Sequence, residues 1–232
     1  MKYLFWGFLS LLTACNTPNL GVCIDGPVPE KALVLKTISK AENNSRNAVV
    51  KVFSEREDGK GFGTGTVFKY RGETVVLTAA HVVGDLSYPA TVSDGQSLVD
   101  TEIVYFDPAS DLAVLRPKGP LNTRPMALRP IPQRQVKIGK DVFYSGYPND
   151  ASMLTLRGYI AGVHPSGYLY MHSYAWPGAS GSAVMDEQGR IIGVLVAVDM
   201  AISPVGIPSV VEDVVIIVPI WKLDFDLLDT NL

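Results

Sequence analysis

At 232 residues and 47% apolar content, the chain can bury a sizeable core and suits one compact unit or two small fused barrels. A formal charge of −3 and a pI near 5.6 provide no field for attracting nucleic acid, which sets basic-patch functions aside. Two cysteines build no disulfide scaffold, and three scattered histidines without a Cys-x-x-Cys or His-Glu-x-x-His spacing build no metal site, so neither metal nor cofactor is expected.

The chain opens on an address. Lys2 supplies a positive start, and Tyr3 to Leu12 form an apolar stretch too short for a comfortable membrane span but right for a signal peptide over residues 1–14. Leu12-Thr13-Ala14-Cys15 resembles the bacterial lipobox, which implies removal of that peptide and lipidation of Cys15. Several acyl chains on one cysteine would hold the protein on a membrane. With Asn16 after the cysteine, the same resemblance implies outer-membrane sorting and a periplasm-facing protein at the cell envelope, with ordinary secretion as the alternative. Lipidation leaves Cys23 without an intramolecular partner, whereas a free Cys15 could form a Cys15–Cys23 disulfide in an oxidising compartment.

Residues 15–47 read as a tether and a short helix. Pro18, Pro27 and Pro29 with Gly21 and Gly26 interrupt regular structure, and 30–42 places Leu35, Ile38 and Ala41 on one helical face. From Ala48 onward β signals dominate. Runs rich in Val, Ile, Tyr, Phe and Thr at 48–53, 66–70, 74–78, 101–106 and 112–116 predict a first β-barrel over 48–116. A Pro-rich link follows at 117–132. The rhythm resumes at 141–145, 154–161, 168–172, 183–185, 191–198 and 214–218, predicting a second barrel over 133–232 with a short C-terminal tail.

Three residue types stand beside these runs in a suggestive order. His81 follows Leu77-Thr78-Ala79-Ala80, Asp111 precedes Leu112-Ala113-Val114-Leu115, and Ser180 lies in the tight turn Trp176-Pro177-Gly178-Ala179-Ser180-Gly181-Ser182. A serine hydroxyl needs a base within hydrogen-bond reach to attack a carbonyl, and an imidazole with pKa about 6.5 can take and return that proton. An aspartate fixes the imidazole tautomer. The backbone N–H groups of Gly178 and Ser180 are candidates for an oxyanion hole. Asp107 is the rival acid, but the apolar run after Asp111 should carry Asp111 inward while Asp107-Pro108 makes an exposed turn. Singly, each of the three has an ordinary structural reading, as core histidine, strand cap and turn serine. His164 is expected in a loop, and His172 as a strand residue with a place in the cleft as the alternative.

With these motifs the chain resembles the trypsin-like, chymotrypsin-fold serine endopeptidases, whose chain order is His, Asp, Ser. Gly61-Phe62-Gly63-Thr64-Gly65-Thr66-Val67, Ser145-Gly146-Tyr147-Pro148 and Gly189-Arg190-Ile191-Ile192-Gly193-Val194 are similar to strands of the bacterial high-temperature-requirement and glutamyl endopeptidase branches. The resemblance implies an all-β fold of two packed antiparallel barrels, an active site in the cleft between them and polypeptide substrates cut through an acyl-enzyme. It also implies a substrate pocket at Tyr174, Leu195, Val196 and Ala197, with no acid for basic residues and Leu195 where glutamyl endopeptidases carry a histidine. Ala179 precedes the nucleophile, so activation by a freshly cut amino terminus is not expected. Nor is a PDZ domain expected after the protease. A different-class alternative is a catalytically silent lipoprotein of the same fold, serving as an envelope binding module.

Overall fold

The computed structural model describes residues 38–232 apart from 57–58, 85, 151 and 203–207, and leaves the side chains of 56, 198–202 and 208–212 undescribed. The signal peptide, Cys15, Cys23 and most of the tether lie outside the described residues. The first element is helix α1, Lys40–Ala48, which carries Glu42 in its first turn and Arg46 in its last, as the helix dipole favours. It turns Ala41, Ser45 and Ala48 inward at helical spacing. The helix therefore runs beyond the 30–42 window read from the sequence, whose first part lies outside the described residues.

The first barrel is built from β1 (Val49–Arg56), β2 (Gly59–Tyr70), β3 (Glu73–Thr78), β4 (Ala90–Ser93), β5 (Leu98–Asp107) and β6 (Leu112–Pro117). Its order is β1-β4-β5-β6-β3-β2, and antiparallel pairing of β1 with β2 closes the ring. The continuous apolar run Leu112 to Leu115 is fully buried, as expected of a strand covered on both faces. The link carries a further strand, β7 (Met126–Ala127), which pairs parallel to β2 outside the ring because Met126 reaches the core.

The second barrel contains β8 (Asp141–Gly146), β9 (Leu154–Val163), β10 (Leu169–His172), β11 (Ala183–Met185), β12 (Ile191–Ile202) and β13 (Pro208–Pro219). These close in the order β10-β13-β12-β11-β8-β9. Two closed six-stranded antiparallel barrels thus form the all-β fold read from the sequence.

Strand periodicity joins the barrels. Along β11 and β12, Val184, Ile192 and Leu195 enter the second barrel's interior, while Ala183, Met185, Ile191, Val194 and Val196 join the core cluster of the first. The C-terminal residues differ from the expected tail. A short helix, α2 (Ala80–Val83), lies between β3 and β4, and after β13 the chain forms α3 (Phe225–Asn231). Asp224 caps α3 by accepting from the N–H groups of Asp226 and Leu227 at 3.1 and 3.0 Å. Leu228 is buried and Asn231 donates to the Val104 carbonyl at 3.0 Å, so this helix packs on the first barrel rather than the second.

Candidate active site

His81 lies in α2, the single turn after β3. Ala80, Val82 and Val83 are buried, which leaves His81 as the residue facing outward. Asp111 ends the turn between β5 and β6 with φ of 57°, a left-handed conformation that aspartate tolerates better than most residues. Its carboxylate accepts from the His81 backbone N–H at 2.8 Å and meets the ring Nδ1 at 2.7 Å. An ionised carboxylate can only accept, so Nδ1 carries the proton and Nε2 is the basic nitrogen. Asp107 is engaged elsewhere: it accepts from the Ser110 hydroxyl at 2.5 Å and from the Ala109 N–H at 2.9 Å. The Ser110 hydroxyl holds its pKa below the usual carboxylate value. The acid beside His81 is Asp111.

Ser180 comes from the other barrel, on the loop between β10 and β11. Its carbonyl accepts from Thr64 N at 2.8 Å, and Gly181 N donates to Leu195 O at 2.7 Å. Gly181 has φ of +89°, and a Cβ there would lie 2.0 Å from the Thr64 carbonyl and 3.2 Å from the Ala79 nitrogen. The loop thus presses on the segment leading into His81. Gly63 makes the same point from β2: a Cβ there would fall 2.6 Å from Val82 and 2.9 Å from the Ser180 carbonyl. Among the described residues, Ser180 Oγ makes one hydrogen bond, a long one of 3.4 Å to the Val196 carbonyl.

Three successive carbonyls of this loop are held by the protein. Pro177 O accepts from Asn149 N at 2.6 Å, Gly178 O from Thr64 Oγ1 at 2.7 Å, and Ala179 O from Ser182 Oγ at 2.6 Å. In a trans peptide the C=O and N–H point in opposite directions. Fixing Pro177 O and Ala179 O therefore turns the N–H groups of Gly178 and Ser180 outward. Among the described residues, neither N–H has an acceptor. Thr64 also accepts from Tyr147 N at 3.0 Å, a bracing role that the sequence reading missed.

A cavity of about 290 Å³ opens beside Ser180, lined by Ala175, Trp176, Pro177, Ser180, Leu195 and Ala197. Of the residues expected in a substrate pocket, Leu195 and Ala197 are in this lining. Val196 does not line it, because strand alternation turns its side chain into the core between the barrels and leaves only its carbonyl near Ser180. Tyr174 is also displaced from the lining. The residue is 52% exposed, its ring stacks on Trp176 with centroids 5.9 Å apart, and its carbonyl accepts from the buried Tyr144 hydroxyl. Trp176 and Pro177, inside the same motif as Ser180, supply the wall instead. The exposed His172 stacks on Tyr159 and the half-buried His164 on Tyr168, and neither is in this lining.

Residues 63–194 match the family model described as trypsin-like peptidase domain. The chain is 26% identical over 180 residues to an HtrA-like serine protease of Staphylococcus epidermidis, covering 69% of this chain and 30% of that one. It is 30% identical over 165 residues to the chloroplastic protease Do-like 1 of Arabidopsis thaliana, covering 65% of this chain and 35% of that one. The chain thus spans about a third of the length of these relatives. Among solved structures, the serine endoprotease from Yersinia pestis superposes with a TM-score of 0.64 at 22% identity, covering 82% of this chain and 65% of the other. A protease from M. tuberculosis in its active form gives 0.63 at 23% identity, covering 82% of each.

Proposed function

The chain belongs to the trypsin-like peptidase family, and from that premise we propose that it is a serine endopeptidase acting on polypeptides. The observations that support the reading are the double engagement of one carboxylate with the His81 backbone and ring, which leaves Nε2 as the basic nitrogen, and the docking of the Ser180 loop on the segments that flank His81. Ser180 Oγ attacks the scissile carbonyl as His81 Nε2 takes its proton. Negative charge moves onto the carbonyl oxygen, where the N–H groups of Gly178 and Ser180 receive it. The intermediate collapses, the C–N bond breaks, and His81 returns the proton to the departing amine. Water, deprotonated by His81, then cleaves the acyl-Ser180 ester and restores the hydroxyl.

The cavity beside Ser180 has an apolar lining with no charged residue among those described, which fits a small or medium aliphatic side chain before the scissile bond. At the envelope, a lipidated Cys15 would hold this activity at a membrane surface. The test is labelling with a fluorophosphonate and cleavage of a denatured protein by wild type and Ser180→Ala. We expect one adduct on Ser180, absent from the variant, and fragments from wild type alone. A correctly folded wild type that gives neither adduct nor fragments would reject the enzyme in favour of the binding module.

A further inference from the structure

A hollow of about 670 Å³ in the second barrel combines apolar walls with cations. The turn before β8 contributes Pro132, Arg134 and Val136, the β9–β10 hairpin contributes Val163 and Leu169, and Trp221 after β13 supplies a third wall. Val163 is 60% exposed, and Ile138, two residues beyond Val136, is 69% exposed. Single exposed aliphatic residues are ordinary, but these two adjoin an apolar hollow. Arg134 lines it and Lys137 follows Val136, both exposed, and among the described residues neither has an acidic partner. Lys222 stands on the hairpin side, where its Nζ donates to Ser166 O at 3.3 Å and lies 4.8 Å from the Tyr168 ring centroid. Two acids that approach this end are engaged: Asp186 by Lys140 and Arg190, and Asp107 by the Ser110 hydroxyl. Asp141 and Glu187 are exposed on its margins. In a chain of formal charge −3, this end therefore presents unpaired cations around an apolar surface.

The described chain enters the fold beside this end. A Cβ on Gly189 would lie 3.6 Å from the Ala41 side chain near the start of α1. The turn that holds Gly189 reaches the edge of the hollow, because Arg190 Nη1 donates to Gln135 Oε1 at 2.7 Å and Lys140 Nζ meets Asp186 at 3.4 Å. Cys15 lies 25 residues before Lys40, a length of chain that spans at most about 90 Å. A membrane that holds Cys15 is thus tied to the fold at a point one turn away from the cationic hollow. Aliphatic side chains ringed by cations suit the boundary of an anionic bilayer, where apolar groups enter below the headgroups and Lys and Arg meet the phosphates.

Taking the membrane from the lipid-anchor reading, we propose that this end of the second barrel docks directly on an anionic phospholipid surface, with Ile138 and Val163 entering the headgroup region and Arg134, Lys137 and Lys222 meeting lipid phosphates. The test mixes the full chain with vesicles of phosphatidylcholine alone or of phosphatidylcholine with phosphatidylglycerol, and reads sedimentation together with backbone hydrogen exchange. We expect exchange at 134–140 and 163–168 to slow on the anionic vesicles only, and to recover in about 0.5 M salt as the charges are screened. Arg134→Gln with Lys137→Gln should lower the docked-to-undocked ratio about 25-fold, at about fivefold per cation. Ile138→Ser should lower it without changing the salt dependence. Neither variant alters the proposed triad, so cleavage of a soluble peptide should stay at the wild-type rate. Equal exchange on both kinds of vesicle, or protection that survives in both variants, would overturn the docking. Protection that arises without lipid and grows with protein concentration would overturn it in favour of a second copy of the chain. Sedimentation with anionic vesicles alone, with the local protection intact, would reject the acyl anchor and uphold the docking.

Discussion

Thr64→Val isolates one hydroxyl at nearly constant side-chain volume. Thr64 is fully buried, and its Oγ1 donates to Gly178 O at 2.7 Å while accepting from Tyr147 N at 3.0 Å. Valine leaves that carbonyl and that N–H without partners, each costing about 1–3 kcal/mol when buried. A better-buried methyl returns about 0.8 kcal/mol. The net expectation is a loss of about 1–5 kcal/mol in unfolding free energy, read by chemical denaturation. Activity should fall for a separate reason. With Gly178 O released, the peptides on either side of it can rotate, and removal of one oxyanion donor costs about 3 kcal/mol of barrier, or roughly 100-fold in rate. We therefore expect kcat to drop by about 10- to 100-fold with KM within about threefold, since the donor acts on the transition state rather than on ground-state binding. Thr64→Ser keeps the hydroxyl and should retain most of kcat. If Thr64→Val lost stability as calculated yet kept wild-type kcat, the bracing argument would be refuted and Thr64 would be a core residue only.

Two further predictions probe the paired acid and a buried charge. Asp111→Asn should preserve the fold but lower kcat by about 10⁴-fold, because an amide can hold His81 in the wrong tautomer; steady-state kinetics with a folded-state spectrum checks this. Asp186 is buried, which pushes its carboxyl pKa up, but hydrogen bonds from Arg190 and the charges of Arg190 and Lys140 outweigh burial and leave it below the usual value. A depressed native pKa means that its stabilisation is present above about pH 4 and disappears as pH falls through the lower native value. Unfolding free energy measured across pH 2–7 should therefore fall below about pH 4 in wild type and fall less steeply in Asp186→Asn, with the variant less stable at pH 7.

The catalytic candidates were legible because each is announced by its own covalent neighbours. The apolar run after Asp111 separates it from Asp107, which the structure indeed engages in a local turn with Ser110. The glycines around Ser180 forecast a turn that only a residue without Cβ can make at Gly181. Leu195, Val196 and Ala197 are consecutive in β12, so strand alternation separates Val196 from its two neighbours, which line the cavity. Asp224 before Phe225, Leu227 and Leu228 likewise carried a readable helix start. The short strand at Ala90–Ser93 and the pair Met126–Ala127 were too brief to give a periodic signal, and each exists through its partners on neighbouring strands.

Thr64 marks where local reading stops. Within its own strand it is one small residue among glycines, indistinguishable from a β-branched residue chosen for propensity. Its hydroxyl acquires a role only because barrel closure brings Gly178, 114 positions away, to 2.7 Å and Tyr147 to 3.0 Å. The proposed nucleophile, base and acid follow from residue chemistry in order along the chain. The proposed donors to the reacting oxygen follow from which backbone lies opposite, and that is a property of the closed barrels rather than of any single segment.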